Sequence, residues 1–215
     1  MTVTVVTPTI PGREAMLAEN IRSVNAQTLP VDSHMIMSHP PVEEMPSQVH
    51  CAHMQNWLLR SVVTPWVMRL ADDDKLLPEH WAIYSDFVSM LLQSSTIRPD
   101  VIYSWDASHN RPRVNCNGWS QDQLIDHLFR DNFIDGSAVV VNTMLLCQVG
   151  GWPSKWEDKP PWGAHFVGHD GRPLAAYEDW ALWQVLARAG AKFVCIPEET
   201  WLYGAGDWPR ISNGH

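Results

Sequence analysis

Five carboxylates in two short runs, Asp72-Asp73-Asp74 and Glu178-Asp179, are the side chains of this chain best placed to do chemistry. The triplet follows Trp66 to Ala71, which reads as a buried strand. Three carboxylates crowded at a strand end repel one another, and burying them without a counter-charge is costly. A divalent cation would relieve that repulsion, and hard oxygen ligands suit Mg2+ or Mn2+. Asp72 and Asp74 stand two apart and share a face of an extended segment, which makes them candidate metal ligands. The bland alternative is a solvated acidic turn ahead of the next helix. The second run opens an amphipathic helical pattern, Asp179 to Ala189. A carboxylate there can serve as a general base, or simply as a helix cap, a position Asp favours.

The elements that must carry these residues alternate. Thr2 to Thr7 reads as a first strand, Pro8 to Gly12 as a turn, and Arg13 to Ala26 as a helix with Met16, Leu17, Ile21 and Val24 on one face. His34 to Met37 predicts a second strand and Val49 to Val63 a second helix ending before Pro65. After the triplet come a helix from Pro78 to about Gln93, a strand at Val101 to Trp105, a helix at Gln121 to Arg130, and a strand at Ser137 to Val141. A short helix from Thr143 to Val149 stops at Gly150-Gly151, and the last strand covers Lys192 to Ile196. This order predicts a single α/β domain with a mostly parallel sheet, whose ligands bind beyond the C-terminal strand ends. Residues 155–176, rich in Pro, Gly, His and Trp, predict a long loop that is either a lid or a plain insertion. His165 and His169 within it read as loop histidines rather than metal ligands.

Composition narrows the partners. At 45% hydrophobic and 18% charged residues the chain is globular. A net charge of −9 disfavours nucleic acid, which needs basic stripes. No apolar run is long enough to span a membrane and Met1 leads straight into a strand pattern, so the expectation is a cytoplasmic protein without a leader. The four cysteines, Cys51, Cys116, Cys147 and Cys195, lack metal-knuckle spacing and predict reduced, buried thiols. The twelve tryptophans fit either sugar-stacking platforms or core filler.

Four stretches in order resemble the inverting glycosyltransferases of family 2, which have the GT-A fold. They are Val3 to Thr9 with Arg13 and Ser23-Val24-Asn25-Ala26-Gln27-Thr28; Thr64 to Pro78, containing the DxD-like triplet; Gly136 to Val141 with Val149-Gly150-Gly151-Trp152-Pro153; and Tyr177-Glu178-Asp179-Trp180-Ala181-Leu182-Trp183 with Ala187 to Lys192. The compact length is similar to stand-alone members, including bacteriophage-encoded ones. The resemblance implies a single domain over 1–215, with residues 1–105 binding a UDP- or GDP-sugar and 106–215 binding the acceptor. It implies metal-dependent hexosyl transfer with inversion onto a glycan, protein or other hydroxyl compound. Thr7, Pro8, Thr9, Arg13, Gln55, Asp72 and Asp73 would contact the donor, Asp72 and Asp74 the Mn2+ or Mg2+. Asp179 would be the base, with Gly151, Trp152, Glu178 and Trp180 on the acceptor side.

The sequence departs from the family at Ser38, where an acidic residue usually meets the nucleoside, at Gln55, where Arg is common, and at Ala71, where many members have Asp. The rival reading is a degenerate, non-catalytic nucleotide-sugar or glycan-binding protein with the same fold. A sugar nucleotidyltransferase would need a Gly-rich phosphate loop after the first strand, which Pro8-Thr9-Ile10-Pro11-Gly12 is not. A haloacid-dehalogenase phosphatase would carry its acidic motif after the first strand, not the third.

Overall fold

The computed structural model describes residues 1–43, 45, 47–94, 98–109, 112–154 and 178–204. Among these residues seven strands, β1 (Val3–Thr9), β2 (Ser33–Ser38), β3 (Trp66–Arg69), β4 (Lys75–Leu76), β5 (Val101–Asp106), β6 (Val139–Asn142) and β7 (Phe193–Leu202), form one sheet in the order β2-β1-β3-β6-β5-β7-β4. β1 runs parallel to β2 and β3, and β5 parallel to β7. β6 is inserted antiparallel between β3 and β5, and β4 closes the far edge antiparallel to β7. Five strands thus point one way, and two short ones run against them.

Among the described residues, six helices cover the two faces: α1 (Glu14–Asn25), α2 (Ser47–Leu59), α3 (His80–Ser94), α4 (Gln121–Arg130), α5 (Thr143–Gln148) and α6 (Glu178–Arg188). Successive residues of a strand face opposite sides, and the two cores divide accordingly. Val67, Val139 and Val141 pack with Leu58 of α2, Leu128 of α4 and Leu182 of α6. Met68, Leu70 and Val140 pack with Val24 of α1 and Trp81, Tyr84 and Val88 of α3. By the same alternation Arg69 faces the α2–α6 side.

Several boundaries differ from the sequence reading for identifiable reasons. β1 continues through Pro8, which pairs with Met37, and Thr9, which pairs with Ser38. The Val6 carbonyl bonds Leu70 N on the β3 side and the Thr9 carbonyl bonds His39 N on the β2 side. Pro8 therefore turns its missing N–H toward β3, whose pairing with β1 has already ended at Val6–Arg69, so no ladder bond is lost. β7 runs on through Pro197 to Leu202 because a bulge absorbs the proline, shifting the register between Ser104–Ile196 and Trp105–Glu199. β4 has only two residues and no periodicity to betray it. On α1 the buried stripe is Met16, Asn20 and Val24, with a polar residue where the pattern suggested only apolar ones. All four cysteines are free thiols, but only Cys116 and Cys195 are buried; Cys51 is half-buried and Cys147 is exposed on α5.

His80 opens α3 with no exposure, its Nδ1 2.7 Å from Thr200 Oγ1 and its ring stacked 4.3 Å from Tyr84. Burial holds its pKa down at about 3. The unfolded chain takes up a proton near pH 6.5 that the folded chain refuses, so this site's penalty grows as pH falls from 6.5 toward 3. Urea unfolding at pH 7 and pH 5 is expected to show wild type losing up to about 2 kcal/mol more than His80→Gln over that interval. An equal loss in both would contradict a neutral buried imidazole.

Candidate active site

The acidic triplet forms a tight turn at the C-terminal end of β3, closed by a bond from Asp74 N to the Ala71 carbonyl at 3.1 Å. Neighbouring elements clamp its backbone. Asn20 Nδ2 of α1 donates to the carbonyls of Ala71 (2.8 Å) and Asp74 (3.0 Å), and Ser137 Oγ accepts from Ala71 N at 2.9 Å. Asp72 is 2% exposed, and both of its oxygens are engaged. Arg13 Nε and Nη2 donate to Oδ2 and Oδ1 at 2.8 and 2.7 Å, and Thr9 Oγ1 donates to Oδ2 at 2.6 Å. Arg13 Nη2 also lies 3.0 Å from Asp73. Burial opposes the charge on Arg13, yet the bonds and charges of Asp72 and Asp73 raise its pKa on balance. The repulsion read from the sequence is thus partly answered from within the chain, and Asp72 could bind a metal only by giving up donors it already holds. Asp74 differs. It is 2% exposed, accepts from Gly204 N at 2.8 Å, and has its pKa raised by burial and by the charges of Asp73 and Asp135. A buried carboxyl pressed by two like charges is where an added cation gains most. Asp73 and Asp74, all-oxygen donors, therefore fit a hard divalent ion, although no three acidic, His or Cys side chains among the described residues form a ready-made cage.

Across the sheet end stands the second acidic run, at the start of α6. Glu178 is buried and its Oε1 lies 3.4 Å from Arg69 Nη2. Burial pushes its pKa up to about 7, with Arg69 pulling down and Asp179 and Asp135 adding to the rise. Asp179 Oδ1 accepts from Trp180 N at 2.7 Å, a local bond at the helix start. The segment Gly136-Ser137-Ala138, leading into β6, separates the two acidic runs. Ala138 sits at φ 60°, a left-handed conformation that costs a non-glycine residue about 1–2 kcal/mol. It is held there by bonds from its N–H to the Arg69 carbonyl (2.8 Å) and from Tyr84 Oη to its own carbonyl (3.0 Å). A Cβ on Gly136 would lie 2.8 Å from Asp179 Oδ2 and would collide with Arg69 Nη1. Only glycine leaves room there for both side chains.

The other residues singled out in the sequence are placed as follows. Thr7 is buried with Oγ1 2.9 Å from His34 Nε2. Gln55 has no exposure, and its amide nitrogen rests 3.2 Å from Cys51 Sγ, so its side chain is turned into the protein. Gly151 lies at φ 82°, and the backbone of Trp152 is gripped at both N and O by the Asn56 side chain, each at 2.7 Å. The rings of Trp152 and Trp180, 3% and 9% exposed, are core rather than open stacking faces; Trp180 Nε1 bonds the Leu128 carbonyl. Ser38 is exposed at the end of β2. A cavity of about 690 Å³ opens away from the triplet, beside α2, between Met37, His39, His50, Trp57 and Gly151. Trp156, Trp162, His165, His169 and the whole expected loop at 155–176 lie outside the described residues. Three positions that pack around the two acidic runs escaped the sequence reading: Asn20, Ser137 and Arg69. An asparagine interrupting the apolar stripe of α1 and a lone arginine in an apolar strand were the signals available.

No protein-family model and no curated protein matches the sequence. Solved structures do. S. aureus TarS 1–349 in complex with UDP-GlcNAc aligns with a TM-score of 0.63 at 12% identity, covering 100% of this chain and 62% of that one. The mannosyltransferase PcManGT from Pyrobaculum calidifontis, in complex with GDP-Man and Mn2+, aligns at 0.54 and 12% identity, over 95% of this chain and 57% of that one. A glycosyltransferase involved in glycosylation of the PBCV-1 major capsid aligns at 0.51 and 11% identity, over 97% and 95%. The chain spans only 36% of the longer TarS structure. At such identities the likeness establishes the fold: a GT-A domain, whose structural neighbours are nucleotide-sugar glycosyltransferases. No helix among the described residues is long and apolar enough to cross a membrane.

The Arg13–Asp72 pair makes a direct prediction. Arg13→Met leaves a buried carboxylate short of its partner and is expected to cost about 3–5 kcal/mol in urea unfolding. Adding Asp72→Asn should restore part of that loss, with a coupling of about 1–3 kcal/mol in the double-mutant cycle. Additive effects would show that the pair does not hold the turn.

Proposed function

We propose that this protein is a metal-dependent, inverting glycosyltransferase that moves a hexosyl group from a UDP- or GDP-sugar to a hydroxyl acceptor such as a glycan or a protein side chain. One observation carries the reading: on a GT-A sheet, a buried acidic turn at the end of β3 lies against one side of the Gly136-Ser137 segment, through Ser137, and a second acidic pair, at the start of α6, packs beside Gly136. The structures aligned above with UDP-GlcNAc or with GDP-Man and Mn2+ support it.

In this account the donor lies over the ends of β1 and β3. Asp74, with Asp73, would hold Mn2+ or Mg2+, which would supply charge neutralisation for the diphosphate. Asp72 fixes Arg13 between the triplet and the donor's phosphates. The backbone of Thr7, Pro8 and Thr9 borders the nucleoside, with Ser38 in place of an acidic contact. Asp179 takes the proton of the acceptor hydroxyl, whose oxygen attacks the anomeric carbon from the face opposite the nucleotide. The bond from that carbon to the phosphate oxygen breaks, the nucleoside diphosphate departs, and the configuration inverts. The remainder of the acceptor site falls to the 106–215 half.

Two outcomes test this reading. UDP or GDP is expected to raise the melting temperature with Mn2+ present and not in excess chelator, and Asp74→Ala should abolish the metal-dependent part while leaving the apo melting temperature nearly unchanged. Equal stabilisation in chelator would remove the metal from the account. Asp179→Asn keeps the size and the capping ability of the side chain but accepts no proton. Calorimetry is expected to give near-normal donor affinity while transfer falls ~10²–10⁴-fold. Near-normal transfer would end the assignment of Asp179 as base. Donor binding without transfer or donor hydrolysis by wild type would favour the non-catalytic reading.

A further inference from the structure

Arg69 is the feature that the donor, metal and base assignments leave unused. It sits on β3, three residues before the triplet, on the strand face that looks toward α2 and α6. Its side chain is 15% exposed. Nη2 lies 3.4 Å from Glu178 Oε1 and 3.9 Å from Cys51 Sγ. Nη1 occupies the space that a side chain at Gly136 would fill, shared with the Asp179 carboxylate. Burial works against its charge, while the nearby carboxylates of Glu178, Asp179 and Asp74 favour it. Nε is buried with no acceptor among the described residues. An arginine serving only the fold would be expected to have its donors satisfied. This one is held by surrounding negative charge instead, and leaving a buried donor unpaired costs stability.

We propose that Arg69 is a positioning residue for transfer: its guanidinium, seated beside Gly136, holds the Glu178–Asp179 pair so that Asp179 keeps the place from which it receives the acceptor's proton. The inference rests on the function proposed above. The physical case is charge balance within a fixed space. Asp179 has Glu178 beside it, and Asp135 lies near Glu178; like charges at close range push a carboxylate out of position. Arg69 is the basic side chain that the described structure sets among these acids, because Arg13 is engaged with Asp72 and Asp73. The guanidinium is planar and rigid, so it fixes a direction as well as supplying a charge, which lysine does less well. Gly136 is the matching half of the device, since a methyl group there would displace both partners.

The test compares wild type with Arg69→Met, Arg69→Lys and Gly136→Ala, reading kcat, KM, donor affinity by calorimetry and melting temperature. Arg69→Met is expected to lower kcat ~10²-fold, at the low end of what loss of an acid–base group costs, with donor affinity changed less than about threefold. Arg69→Lys should recover part of the rate through its charge. Gly136→Ala should lower kcat in the same way with both charges still present, so the inference remains testable even if Arg69→Met does not fold. Donor affinity falling in step with kcat would make Arg69 a donor ligand and overturn the proposal; so would wild-type turnover by Gly136→Ala or by Arg69→Met. A wild type inert toward every nucleotide sugar would overturn the proposed function itself, whereas an active wild type with unaffected variants would overturn only the role of Arg69.

Discussion

A buried arginine bonded through two nitrogens to Asp72 lets three consecutive carboxylates occupy the end of β3. Without it the turn would concentrate negative charge in a place closed to water, where that charge is hardest to bear. With it, Asp72 becomes part of the scaffold. Thr9 at the end of β1, Arg13 at the start of α1 and Asp72 after β3 are locked into one hydrogen-bonded unit. In the proposed function, metal binding is then left to Asp73 and Asp74, which this unit holds in place. Asn20 and Ser137 complete the clamp through the backbone, so the end of β1, α1 and the segment before β6 together fix the turn.

The two arginines divide the labour by strand alternation. Arg13 approaches from the α1 side and compensates the triplet, while Arg69 faces the α2–α6 side and compensates the pair on α6. Between them Gly136 and Ser137 approach β3 closely because β6 is inserted antiparallel, bringing its start beside the end of β3. An all-parallel sheet would place the start of β6 at the opposite end. The reversed strand is thus what brings the Gly136 segment to the site.

Much of this was legible in the sequence, and what was not had a physical cause. β3 and the triplet were readable because an apolar run ending in carboxylates has few other meanings. α4 was readable from its periodicity, and Ser120 with Gln123 forms the capping box that starts it. The direction of β6 was not readable, since Val139, Val140 and Val141 would suit either orientation. The pairing of Arg13 with Asp72 spans 59 residues and leaves no local trace. The resemblance put Trp152 and Trp180 on the acceptor side; tryptophan serves cores and sugar clefts alike, and only burial, which places both in the core, separates the two uses. Gln55 was placed by resemblance at the donor, while the helical phase of α2 turns it inward beside Cys51.

The central claim is that the end of β3 holds donor and metal through Asp73 and Asp74, with Asp72 reserved for Arg13. Anomalous diffraction from crystals grown with Mn2+ and UDP or GDP tests it most directly. The account predicts a manganese peak bonded to Asp74 or Asp73 and to the diphosphate, with the Arg13–Asp72 pair intact. A peak on Asp72 with Arg13 displaced, or a nucleotide seated away from the triplet in the cavity beside α2, would contradict it.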